Sequence, residues 1–67
     1  MKATYLIRST QALSDTKRYY RYASAALVDE MNAETFKHER TAQQVINCFI
    51  ESGEWRSGQY RVHLTYR

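Results

Sequence analysis

The segment Gln59–Arg67 alternates strictly, with Tyr60, Val62, Leu64 and Tyr66 on one side and Gln59, Arg61, His63, Thr65 and Arg67 on the other. A period of two marks a half-buried strand whose aromatic and aliphatic side faces a core. A second β-rich run, Ala3–Thr10, sets Tyr5, Leu6 and Ile7 among Thr and Ser residues and predicts a first strand. After Gln11–Thr16, where Ser14 and Asp15 supply turn chemistry, Arg18–Ala23 reads Arg-Tyr-Tyr-Arg-Tyr-Ala. That run predicts another strand, joined to the first as a hairpin.

Between these runs the pattern turns helical. Ser24 is a candidate N-cap, and behind it Leu27, Val28 and Met31 recur at helical intervals with Asp29 and Glu30 near the N-terminal end, which predicts a helix over residues 25–36. A break at Phe36–Arg40 follows. Thr41 and Gln44 then match a capping box, and Ala42, Val45, Ile46, Phe49 and Ile50 form one apolar stripe of a second helix. Gly53 is placed to end that helix, and Glu54–Gly58 turns into the last strand.

The predicted order is β-β-α-α-β in a single small α+β domain spanning residues 1–67. A right-handed crossover puts the last strand beside the first, giving a three-stranded antiparallel sheet of order 2-1-3 with two helices on one face. Thr4, Leu6, Arg8, Arg61, His63 and Arg67 then share the opposite face, which is expected to be open.

Charge sharpens this picture because it is sorted by segment. Residues 1–23 carry Lys2, Arg8, Lys17, Arg18 and Arg21 against Asp15 alone, and residues 55–67 carry Arg56, Arg61 and Arg67 with no acid. Residues 24–54 carry six acids against Lys37 and Arg40. A sheet built from the two ends is therefore expected to be positive on its open face and negative on its helical cover, a layout suited to a polyanion.

At 67 residues, 43% of them hydrophobic, the chain buries only about 60% of its unfolded surface, so its core is thin. One cysteine, Cys48, excludes an internal disulfide and suits a reducing cytoplasm. The chain has no apolar run of signal-peptide length and none near the ~20 residues of a membrane span, so a soluble cytoplasmic protein without membrane attachment is expected.

The residues expected to bind nucleic acid, DNA or RNA, are Arg8, Lys17, Arg18, Tyr19, Arg21, Arg61, His63 and Arg67. Cations neutralise phosphates, while exposed tyrosine rings offer a stacking surface to unpaired bases. The bland counterpart is that Arg and Tyr at sheet edges merely keep a small protein soluble. The alternative function is protein interaction, with an acidic partner surface or a second copy of the chain meeting the sheet.

No enzyme, metal site or cofactor is expected. His38 and His63 with a single cysteine match no zinc spacing, and no Gly-rich loop precedes a Lys-Ser or Lys-Thr pair. Cys48 is expected to be buried as a small hydrophobe, and Trp55 to cover the end of the core. The acids Asp29, Glu30 and Glu34 read as a solvated helix face.

The opening Met-Lys-Ala-Thr-Tyr-Leu-Ile, followed by Gln11, resembles the start of some small anti-CRISPR proteins of phages. The likeness ends near residue 11 and includes no functional motif. Size and composition also resemble phage and prophage accessory proteins, which implies a compact binder of a host protein or nucleic acid.

Overall fold

The computed structural model describes residues 1–24 and 26–67. Strands β1 (Ala3–Ser9) and β2 (Tyr60–Tyr66) pair antiparallel in unbroken register, from Ala3 opposite Tyr66 to Ser9 opposite Tyr60. One α-helix, α1 (Glu39–Glu51), packs on one side of this ribbon.

The three-stranded sheet and the first of the two predicted helices are not formed. Within Arg18–Ala23 only Tyr19 makes a β-bridge, to Arg8 on the edge of β1 away from β2 and to Val28 on its own other side. Tyr19 and Tyr20 anchor on opposite faces of the ribbon, Tyr19 against Leu6 and Tyr20 against the helix side. The chain turns directly afterwards, with the Ser24 amide bonded to the Arg21 carbonyl at 3.1 Å. Strand propensity in this run is overridden because its burial is complete after two residues.

The helix expected over 25–36 shrinks to a 3-10 turn at Glu30–Asn32, and its first position, Ala25, lies outside the described residues. Val28 is extended, exchanging backbone hydrogen bonds with Tyr19 at 2.8 and 3.0 Å. Asp29 caps the turn by accepting the Asn32 amide, and Met31 points into solvent. Phe36 in turn exchanges two 2.9 Å bonds with Tyr5, holding the end of this segment extended. These two backbone pairings outweigh a helical spacing that only three apolar residues support.

Helix α1 begins at Glu39, ahead of the expected Thr41. Its N-cap is His38, whose side chain makes no capping bond, so the Thr41–Gln44 box goes unused. With Phe36 fixed to β1, Lys37 and His38 turn the chain and the helix starts at once. Its C-terminus closes in a Schellman turn: Gly53 has φ 85° and donates to the Ile50 carbonyl, while the Glu54 amide donates to that of Phe49. The turn lays Trp55 on Phe49 at 4.3 Å between ring centroids and on Tyr60 at 3.9 Å.

Hydrophobic burial falls on both sides of β1. On the helix side Ile7, Ala42 and Ile46 are sealed, with Tyr5, Val45, Ile50 and Val62 packed around them. On the other side Leu6 is fully buried beneath Tyr19, Ala33 and Val28. The face expected to be open is thus largely covered by the segment from Tyr19 to Ala33, for which the sequence pattern predicts strand and helix. Cys48 is exposed rather than buried, because two positions beyond Ile46 turn a helix by about 200°. Among the described residues no helix is long and apolar enough to cross a membrane.

Candidate nucleic-acid interface

The ladder hydrogen bonds fix which side chains share a face. Lys2 pairs with Arg67 and Thr10 with Gln59 through backbone bonds of 2.8 to 3.0 Å, so every second pair between them, including Arg8 with Arg61, is a hydrogen-bonded pair. In such a pair the Cα atoms stand about 5.5 Å apart and both side chains rise from the same side. Two arginine side chains therefore leave the ladder from directly opposite positions on one face.

Arg18 joins them from the neighbouring segment. The Ser9 amide bonds to the Arg18 carbonyl at 2.8 Å, and Arg18 Nε donates to the Ser14 carbonyl at the same distance. Its Nη2 pairs with solvent-exposed Asp15 at 3.2 Å, the one ion pair among the described residues. His63 stands one step along β2, its ring 5.6 Å from that of Tyr19.

Arg8, Arg18, Arg61 and His63, with Ser9, Thr10, Ala12 and Val62, line a cleft of about 290 Å³. That volume is at the lower limit of small-molecule sites and admits a phosphate-sized group at the surface. Among the described residues no carboxylate lines it. The Thr10 hydroxyl donates to the Gly58 carbonyl at 2.7 Å and so ties the rim of the cleft to the turn before β2. Thr10 was not singled out from the sequence, although it continues the period of two that runs through Leu6 and Arg8.

The other expected binding residues are dispersed. Lys17 is exposed on the loop before Arg18, beside the cleft but outside its lining. Arg21 lines a separate hollow with Tyr22, Leu27 and Trp55. Arg67 lies at the far end of β2, where its guanidinium donates to the Glu30 carbonyl, and Thr65 beside it donates to the Glu30 carboxylate at 2.9 Å. Six residue-to-residue steps along the strand separate Arg61 from Arg67, about 20 Å. Glu30, expected on a solvated helix face, instead occupies the end of the sheet that the cations were expected to share.

Tyr19 is 8% exposed, so it supports His63 and Leu6 and presents no ring to a base. Tyr20 and Tyr60 belong to the aromatic group on the helix side, Tyr20 meeting Trp55 edge-on at 5.4 Å. Burial raises the phenol pKa of both, and the carboxylates of Glu34 and Glu54 add to the rise at Tyr20. The cationic cleft and this aromatic group occupy different sides of the molecule.

Comparison with protein-family models, curated proteins and solved structures gave no match.

Proposed function

We propose that this protein is a non-enzymatic nucleic-acid-binding module of the cytoplasm, which holds a backbone phosphate in the cleft of Arg8, Arg18, Arg61 and His63. The observation that carries the reading is the opposed pair Arg8 and Arg61 in a cleft without a carboxylate. Like charges directly opposite across a ladder destabilise it, so a bound anion is what the arrangement lacks electrostatically. Arginine forks suit phosphate oxygens, and the Ser14 and Asp15 contacts hold the Arg18 side chain in place.

With Tyr19 buried, contact with the sugar-phosphate backbone outweighs base stacking, and binding is expected to be largely independent of sequence. Lys17 and Lys2 lie outside the cleft lining and add long-range attraction only.

The test is anisotropy of labelled single- and double-stranded oligonucleotides over a salt series. Log affinity should fall linearly with log salt, and Arg8→Ala with Arg61→Ala should reduce the slope by about one to two. Arg67→Ala, at a position engaged with Glu30, should leave the slope unchanged. Absence of binding at low salt, or an unaltered slope in the double variant, removes the reading. Capture of an acidic protein by a chain that ignores oligonucleotides would replace it with the protein-interaction alternative.

A further inference from the structure

β2 pairs with β1 on one edge only. The Lys2–Arg67 and Thr10–Gln59 bonds set the alternation, so the amides and carbonyls of Arg61, His63 and Thr65 point toward β1 while those of Tyr60, Val62, Leu64 and Tyr66 point away. Among the described residues, none of these outward groups has a hydrogen-bond partner. The opposite flank of the ribbon is occupied, since β1 meets Tyr19 and Phe36 there. Among the described residues one long edge is left free, and it carries no proline and no break in register to discourage pairing.

The side chains along this edge read almost the same in both directions about His63: Tyr, Val, Leu, Tyr at positions 60, 62, 64 and 66. α1 and its core cover Tyr60 and Val62 but stop short of Leu64 and Tyr66, which are 44% and 59% exposed. We infer that a second copy of this chain adds its own β2 antiparallel to this edge, with the twofold axis at His63. Tyr60 then stands opposite the other copy's Tyr66, and Val62 opposite its Leu64. The uncovered half of each strand lies beside the helix-covered half of the other, so one end supplies the burial that the other lacks.

Charge selects this register over its neighbours. With the axis at His63, Arg61 faces Thr65 of the second copy. An axis one residue later would oppose Arg61 to Arg67, and an axis one residue earlier would pair Tyr66 with Gly58 and leave its ring without a partner side chain. The favoured arrangement sets both cationic clefts on the same side of one continuous sheet, with the two Arg61 residues about 13 Å apart along the strand direction. The pairing stands whether or not the cleft takes a phosphate.

A single strand edge buries less than a standard interface of about 800 Å² per partner, so the dimer should be concentration-dependent. Sedimentation over the micromolar range should show mass rising from one chain to two. Leu64→Pro removes an outward amide without touching the bonds to β1, and should leave a monomer with unchanged far-ultraviolet circular dichroism. Leu64→Lys keeps the backbone intact and should weaken the dimer at least tenfold. In a Cys48→Ser background, oxidised His63→Cys should cross-link to a dimer and Arg61→Cys should not, because only the axial residue meets its own copy at about 4.5 Å between Cα atoms. A wild-type chain that stays monomeric at all concentrations overturns the inference, as does cross-linking through Arg61→Cys in place of His63→Cys.

Discussion

Arg8 and Arg61 face each other across the β1–β2 ladder, on the side of the ribbon where Tyr19 covers Leu6 and His63. Among the described residues neither arginine forms an ion pair, and Asp15 is paired with Arg18. Stability and anion affinity should therefore move in opposite directions at this pair.

Arg61→Glu turns a like-charge pair into an opposite one and should stabilise the fold by about 0.5 kcal/mol. The same change should abolish oligonucleotide binding at moderate salt. Urea midpoints at constant m-value give the first quantity and anisotropy the second. A loss of both stability and binding would mean that Arg61 serves the fold.

Leu6→Ala tests the second layer of burial. On an open sheet face this truncation would be nearly neutral, but Leu6 is sealed beneath Tyr19, Val28 and Ala33. Removing a buried leucine side chain costs about 2–5 kcal/mol, a large share of the stability of so small a chain. Thermal unfolding should shift sharply downward. A change within error would show that the segment from Tyr19 to Ala33 does not hold to the sheet.

That segment marks where the sequence stopped being legible. The alternation of Tyr60–Tyr66 and the stripe through Ala42 and Ile46 could be read because each residue's face follows from its immediate neighbours. Val28 could not, since its conformation comes from Tyr19, and that of Phe36 comes from Tyr5. The same distinction divides the site. Periodicity, with the crossover that sets the last strand beside the first, brings Arg8, Arg61 and His63 to one face, whereas the loss of Tyr19 to the interior and of Arg67 to Glu30 depends on a loop folding back over the sheet. Cys48 departs from its expected burial for a simpler reason, as helical rotation carries it away from the stripe.

Alkali should weaken the fold through Tyr20 and Tyr60. Burial raises both phenol pKa values above the ordinary 10.0, so the folded chain holds these protons more tightly than the unfolded chain does. Below pH 10 both states are protonated and the contribution is complete. As pH rises further the unfolded chain ionises first, and stability falls until the folded phenols also ionise. Urea midpoints measured from pH 9 upward should decline, and the Tyr20→Phe, Tyr60→Phe double variant should flatten that decline. An equal decline in the double variant would assign the effect to other groups.

The Schellman turn at Gly53 delivers the chain's one tryptophan between a ring from α1 and a ring from β2. Trp55 is thereby a built-in optical gauge: its emission wavelength and quenching depend on Phe49 and Tyr60 remaining in place on either side. Separation of the helix from the final strand would be visible as a red shift without any attached dye.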